Sequence, residues 1–223
     1  MKHEGKAQAA AFNIIMFPLV ILVSLIGGGS YFGSMFPTFA FSLAILAVLF
    51  TVFTLYFFRD PEARVPSEPK LVLSPGHGKV DAIGEAEEAV FMGGKCQRIS
   101  MFLSVIDVHV QNTPVAGTVK YVKHTSGKFL SATGADSAVH NENVLVGFET
   151  ERGEKIGVRL IAGLIARRII PWVQVGETVA RGERMSLIQF GSRVDVYLPL
   201  TATIKVKLGD RVVGGESVLA TLA

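Results

Sequence analysis

The stretch Ile188–Leu200, which reads IQFGSRVDVYLPL, predicts the most regular β-strand of the chain. Apolar and polar residues alternate along it, as is typical of a half-buried strand. One face would carry Ile188, Phe190, Val194, Val196 and Leu198. Gly191 and Ser192 interrupt the pattern, and Ser192 falls on the apolar face. A glycine inside a strand weakens it and often marks a bulge or a close backbone approach. The Gly191–Ser192 pair therefore indicates a special local role within this strand.

Strand patterns continue on both sides of this stretch, which predicts a mainly β fold for residues 71–223. The other segments with alternating or β-branched residues between turn residues are 71–83, 96–104, 108–122, 144–161 and 167–175. The short segment EAEEAV, residues 85–90, is the one that favours a helix.

Two segments repeat one another. VGETVARGE (175–183) and LGDRVVGGE (208–216) share the order apolar, Gly, acid, any residue, Val, two residues, Gly, Glu. Glycines at these places suit turns with positive φ. The repeat resembles the turns of biotinyl or lipoyl hammerhead barrels. A carrier domain of that type would need a lysine on an exposed tip, and neither repeat has one. We therefore predict a structural role, with two related hairpins in one β-sandwich or barrel.

The N-terminal region predicts a membrane hairpin. No charged residue occurs from Ala7 to Phe58, and this span contains two apolar runs, Ala11–Ile26 and Met35–Phe58. A membrane-spanning helix needs about 20 apolar residues. A cleaved signal peptide and a buried core hairpin are the alternatives. We divide the chain into a two-helix transmembrane hairpin (1–58), a polar linker (59–70) and a β-rich domain (71–223).

The charges that flank the hairpin predict its orientation. Lys2 and Lys6 precede it and Arg59 and Arg64 follow it. The positive-inside rule then places both termini, and with them the β-rich domain, on the cytoplasmic side of the cell membrane.

Composition excludes several functions. The net charge is only +3 and no basic patch is interleaved with aromatic residues, so we expect no nucleic-acid partner. The single cysteine, Cys96, excludes an intrachain disulfide and any CxxC metal or redox site. We expect Cys96 to be buried and no metal to be bound. The sequence is compatible with a homo-oligomer.

Several motifs together resemble the short, membrane-anchored type of phosphatidylserine decarboxylase. They are FGSRVDVYLP, IAGLIARRI, FLSVIDVHVQNTPVAGTV, SGKFLSA and the hydrophobic hairpin with the FFRDPE that follows it. The resemblance covers nearly the whole chain. It implies that the Gly191–Ser192 bond cleaves itself, leaving a β chain (1–191) and an α chain (192–223) that remain partners. It also implies that Ser192 becomes a pyruvoyl group.

The chemistry of this family explains the residue types at the cleavage site. The Ser192 hydroxyl would attack the Gly191 carbonyl, and glycine tolerates the unusual backbone that this attack needs. The pyruvoyl ketone would then form a Schiff base with the amine of phosphatidylserine. It would act as electron sink while CO₂ leaves and phosphatidylethanolamine forms.

Further site residues follow from the same resemblance. His109, in DVHV, would handle protons in processing or decarboxylation. His77 stands in SPGHG where the family usually reads SPADG, and could itself be the base, with Asp81 or Asp107 as the orienting carboxylate. Asn112 replaces a second histidine of the longer branch of the family. Phosphate-binding candidates are Lys128, Arg167 and Arg168.

Three alternatives stay open at the level of sequence. The substrate could be archaetidylserine, which has the same head group. The chain could be a degenerate homologue whose processing is impaired by the change at His77. It could also be a membrane-tethered β-domain adaptor that is never processed and has no activity.

Overall fold

The structure confirms a mainly β fold preceded by two apolar helices. It is a computed structural model that describes residues 2–28, 36–128, 130, 140–163, 168–189 and 192–223. The described chain forms two compact units. One is the helical segment Gly5–Asp60, and the other contains the β-strands.

The helical unit consists of α1 (Lys6–Gly28) and α2 (Phe36–Phe57), which pack against each other. Both helices are long and apolar enough to cross a membrane, and 11% and 6% of their most apolar segments are buried. Large apolar side chains such as Phe17 and Phe41 are exposed. A helix that is apolar all round and unburied in protein fits a lipid environment.

The strands range from two to eleven residues in length. In the described part of the chain they are β1 (Leu71–Leu73), β2 (Gly78–Glu88), β3 (Gly94–Leu103), β4 (Val110–Asn112), β5 (Gly117–Thr125), β6 (Asn143–Glu149), β7 (Lys155–Ala162), β8 (Arg168–Pro171), β9 (Thr178–Val179), β10 (Arg184–Gln189), β11 (Ser192–Leu198), β12 (Thr203–Ile204), β13 (Arg211–Val212) and β14 (Val218–Thr221).

These strands form one large sheet and two small ones. The large sheet has the order β13-β2-β3-β11-β7-β6-β5-β9, and the small sheets have the orders β1-β14-β12 and β4-β10-β8. The strand pairs are antiparallel. One apolar face of the large sheet packs against both small sheets and forms the main core.

Strand β11 lies inside the large sheet, between β3 and β7. The predicted apolar face is confirmed, because Ile188, Val194, Val196 and Leu198 belong to the main core. The prediction of a half-buried strand is wrong, since every residue of β11 is buried. Its second face is covered by a smaller cluster in which Tyr197 joins Phe91, Cys96 and Leu145.

The helix signal at residues 85–90 is wrong. Strand β2 continues to Glu88, where it pairs with Gly94 of β3, and a turn follows. The Glu88 carboxylate accepts hydrogen bonds from the backbone amides of Phe91 and Met92, at 2.7 and 2.9 Å. Pairing with the neighbouring strand outweighs the local helix propensity of this short segment.

The two repeated segments form matching turns, as their glycines predict. Gly176 and Gly209 have φ of +90° and +92°, and Gly182 and Gly215 have φ of +77° and +73°. The amide of Gly176 donates to the Val119 carbonyl, and that of Gly209 donates to the Val80 carbonyl, both at 2.8 Å.

The repeat is part of a larger internal duplication. Strands β4–β10 repeat the arrangement of β1–β3 with β11–β14, because each strand of one set has the same neighbours as its counterpart in the other. The counterparts are β1 and β4, β2 and β5, β3 and β6, β11 and β7, β12 and β8, β13 and β9, β14 and β10. Even the irregular register recurs, between Val80 and Ala82 in β2 and between Val119 and Tyr121 in β5.

The linker that leaves the helical unit crosses both repeated turns. A Cβ on Gly182 would come within 2.4 Å of the Val65 side chain, and one on Gly215 would come within 2.7 Å of Ala63. Arg181 donates to the carbonyls of Pro66, Glu68 and Leu71. The linker is therefore an ordered part of the β unit.

We expect Arg181→Ala to loosen the linker, because it removes the donor for the Pro66 and Glu68 carbonyls of the linker and for the Leu71 carbonyl at the start of β1. Trypsin should then cut after Arg64 about threefold faster or more, since proteolysis follows local opening. The measurement is a digestion time course of the full chain in detergent, read by mass. Arg152→Ala, in an exposed turn, is the control, and equal cutting of the two variants would contradict this account of Arg181.

Candidate active site

Ser192 is the first residue of β11 and is completely buried. It stands opposite Leu103 on one side and Ala162 on the other. Its Oγ has no hydrogen-bond partner within the described part of the chain. An unsatisfied buried hydroxyl costs about 1–3 kcal/mol, so the fold does not gain stability from it. Gly191, the other half of the predicted cleavage site, lies outside the described residues, as does Phe190.

His109 is fully buried immediately before β4. Its Nδ1 lies 2.9 Å from the Asp107 carbonyl oxygen. A carbonyl can only accept a hydrogen bond, so Nδ1 carries the hydrogen and Nε2 has the lone pair when the ring is neutral. The His109 carbonyl accepts from the amide of Ile188 at 3.1 Å. This bond fixes His109 beside β10, four residues before Ser192.

The two candidate orienting carboxylates have other partners. Asp107 accepts from the Ser104 amide at 2.9 Å and from Arg211 at 2.7 Å, so it orients His109 through its backbone carbonyl. Asp81 accepts from Arg193 at 2.5 Å.

His77 lies in the turn between β1 and β2 and is half-buried. A Cβ on Gly214 would come within 2.9 Å of the His77 ring and within 3.0 Å of Asn112 Oδ1. The imidazole and the Asn112 amide therefore sit side by side over Gly214, and the glycine provides the space for them. The preceding residue, Gly76, packs on the side chains of Leu103 and Val194, next to Ser192 along the ladder.

The internal duplication relates these residues to a cavity in the other half of the β unit. Its lining includes Lys70, Ala116 and Glu154. The strand pairing makes these the counterparts of His109, His77 and Ser192. The hydrogen bond from the Leu222 amide to the Lys70 carbonyl is the counterpart of the one from the Ile188 amide to the His109 carbonyl. Because the three counterparts line one cavity, we expect the three site candidates to converge in the same way. The signal in the sequence was the likeness of SPGHGKV (74–80) to TPVAGTV (113–119).

Two of the phosphate-binding candidates, Lys128 and Arg168, lie within the described residues. Lys128 has an exposed side chain, and its carbonyl accepts from Glu142, whose own carbonyl accepts from Ala162, the neighbour of Ser192. Arg168 is exposed and stands opposite Gln189, three residues before Ser192. Arg167 lies outside the described residues.

Sequence reasoning missed Asn141, which no motif indicated. Its buried amide donates to the carbonyls of Leu130 and Ala162, at 2.9 and 2.7 Å. Asn141 therefore fastens residue 130, just beyond Lys128, to the strand that pairs with Ser192.

The prediction that Cys96 is buried is confirmed. Burial raises the pKa of its thiol above the ordinary value, with a contribution from Glu88. Among the described residues no cluster of three or more His, Cys, Asp or Glu side chains could hold a metal ion.

Comparison with known proteins identifies one family. Residues 50–220 match the sequence model described as phosphatidylserine decarboxylase. The chain is 43% identical over 180 residues to the phosphatidylserine decarboxylase proenzyme of Desulfotalea psychrophila, which covers 81% of this chain and 84% of the relative. It is 45% identical over 179 residues to the proenzyme of the same name from Symbiobacterium thermophilum, covering 80% and 83%.

Proposed function

Because the chain belongs to the phosphatidylserine decarboxylase family, we propose that it converts phosphatidylserine to phosphatidylethanolamine by releasing the serine carboxylate as CO₂. The observation that carries the proposal is the buried Ser192 hydroxyl at the start of β11. The relatives are named as proenzymes, which is consistent with an activating cleavage.

We propose that this cleavage occurs between Gly191 and Ser192. The Ser192 Oγ attacks the Gly191 carbonyl carbon and the backbone amide becomes an ester. Loss of the Ser192 α-proton expels the Gly191 carboxylate and leaves dehydroalanine. One water then enters and one ammonia leaves, which gives a β chain ending at residue 191 and an α chain that begins with a pyruvoyl group.

Position 192 fits a pyruvoyl group. The side chain faces the apolar core. Its Oγ has no hydrogen-bond partner in the described chain, so losing the hydroxyl leaves no other group unpaired. When formed, the group supplies a sink for the electron pair that CO₂ leaves behind. In the uncleaved chain residue 192 is completely buried between β3 and β7.

His109 is proposed to accept the Ser192 proton. The Nδ1–H group of His109 donates to the Asp107 carbonyl, so the basic Nε2 points away from that contact. His77, with Asn112 beside it, is proposed to assist from the β1–β2 turn. An imidazole with an ordinary pKa near 6.5 can take up a proton at neutral pH, whereas a carboxylate with a pKa near 4 is a far weaker base.

Lys128 and Arg168 are proposed to receive the lipid phosphate. Both cations are exposed, and each is linked by backbone pairing to residues near Ser192, Lys128 through Glu142 to Ala162 and Arg168 to Gln189. Archaetidylserine has the same head group, so a comparison of the two lipids as substrates distinguishes these two activities. The two apolar helices are proposed to anchor the chain in the cell membrane, with the β unit in the cytoplasm.

The first test is Ser192→Ala. The wild-type chain should separate into two fragments, the smaller of about 3.5 kDa at about 110 Da per residue. The variant should stay intact and release no CO₂ from phosphatidylserine, because it has no nucleophile and cannot form a ketone. Intact-mass measurement and labelled-CO₂ release check both results. A wild-type chain that stays intact after prolonged incubation would overturn the proposal in favour of an unprocessed adaptor.

Self-cleavage should depend on pH through the neutral histidine. We expect the rate to fall below about pH 6, approaching tenfold per pH unit, because a protonated imidazole cannot accept the Ser192 proton. The cleavage rate from pH 5 to 8, followed by mass, tests this expectation.

Substitutions distinguish the two histidines. His77→Ala should slow cleavage more than His124→Ala, whose imidazole is half exposed and paired with Glu142. His77→Asp should restore cleavage if His109 is the base. Cleavage of His77→Ala at the wild-type rate across this pH range would remove His77 from the mechanism and leave it a turn residue.

The membrane orientation has its own test. Protease added to intact cells should leave the β unit undigested, and protease added after the membrane is opened should degrade it. The physical reason is the positive charge of Lys2, Lys6, Arg59 and Arg64 around the two helices. Digestion from outside would reverse the proposed topology.

A further inference from the structure

Arg193 directly follows Ser192, but its side chain lies on the opposite face of β11. Ser192 shares the core face with Val194, whereas Arg193 lies on the second face and is only 7% exposed. A guanidinium keeps its charge at any physiological pH. Its burial is therefore tolerated only if other charges compensate it.

Two carboxylates hold the Arg193 guanidinium. Nε donates to Asp195 Oδ1 at 3.2 Å, and one terminal nitrogen donates to Asp81 Oδ2 at 2.5 Å. Asp195 is on the same strand, while Asp81 comes from β2, on the far side of β3. Asp81 occupies the register irregularity between Val80 and Ala82. A bulge of this kind re-aims a side chain, and here the side chain reaches Arg193.

This arrangement is expensive in free energy. Asp195 is completely buried, and its Oδ2 has no partner among the described residues. The same holds for the Oγ of Ser100, which stands opposite Asp195. Apolar residues of similar volume are often at least as stabilising as a buried ion pair. Fold stability alone does not account for the cluster.

The other half of the duplication provides an internal comparison. The counterparts of Arg193, Asp81 and Asp195 are Lys155, Lys120 and Gly157. Lys120 occupies the same irregularity in β5 but pairs with Glu149 at the surface, at 3.5 Å. The same backbone thus forms without the charged cluster. The cluster occurs in the half that carries Ser192.

We infer that Asp81, Arg193 and Asp195 form a clamp that positions residue 192 for its reactions. The inference rests on the proposed function. Before cleavage, the clamp fixes the strand from which the Ser192 hydroxyl attacks. After cleavage, residue 192 is a chain terminus, held by its peptide bond to Arg193 and by the ladder to β3 and β7. A displacement of about 1 Å can cost a reaction 100-fold, so a fixed Arg193 preserves the geometry that the lost bond had provided.

The test compares Asp81→Asn with Lys120→Gln in the full chain. Both variants neutralise one charge at equivalent positions of the two halves. Asp81 is partly exposed, so its substitution is compatible with folding. We expect Asp81→Asn to slow self-cleavage. In the processed enzyme it should lower kcat about tenfold with KM within about twofold, because the reacting atom is misplaced while the head group still binds. Asp81→Glu should recover most of the loss, and Lys120→Gln should behave as wild type.

Several outcomes would overturn the clamp. They are a wild-type kcat in Asp81→Asn, an equal loss in Lys120→Gln, or a lower unfolding temperature of Asp81→Asn with unchanged kcat and cleavage rate. The last result would make the cluster purely structural. A wild-type chain that neither cleaves nor decarboxylates would instead overturn the proposed function, and the clamp with it.

Discussion

The burial of β11 on both faces is the constraint on which the rest of the β unit depends. A strand with solvent on one side can hold polar residues there at no cost, but β11 cannot. Its core face packs against two small sheets, and its second face is covered by the cluster around Phe91 and Tyr197. Burial also raises the pKa of Tyr197 far above its ordinary value. Every polar group on this strand therefore has to be paired, or has to be kept for a chemical reason.

The duplication separates what the fold requires from what the chemistry requires. Both halves contain the same turns, the same register irregularity and the same strand order. Ala116, Lys70 and Glu154 meet the needs of the fold in one half, so the fold does not dictate His77, His109 and Ser192 in the other. The two repeated turns also differ in what their equivalent residues do. Arg181 fastens the linker, while its counterpart Gly214 leaves room for His77.

Local sequence patterns predicted most strands and turns. The features that they did not predict depend on pairing between residues that are distant in the sequence. Alternation identified the core face of β11, and the repeat identified turns that need positive φ at Gly182 and Gly215. The extension of β2 through Glu88 depends on its pairing with β3, which no local window contains. The motifs predicted Ser192 and His109 as site residues, and the structure shows that both are buried. The contact between Asp81 and Arg193 was not predicted, because it spans three strands and needs a bulge that alternation does not reveal.

The position of the proposed cleavage in the fold is compatible with a β unit that stays folded afterwards. The Gly191–Ser192 bond joins the end of the half formed by β4–β10 to β11, where the other half resumes. The strands that follow the break pair with strands that precede it: β11 with β3 and β7, β13 with β2, and β14 with β1. The proposed cleavage would therefore remove one covalent connection and none of the ladders between the described strands. It would create a new chain terminus inside the core while the buried area that stabilises the fold stays in place.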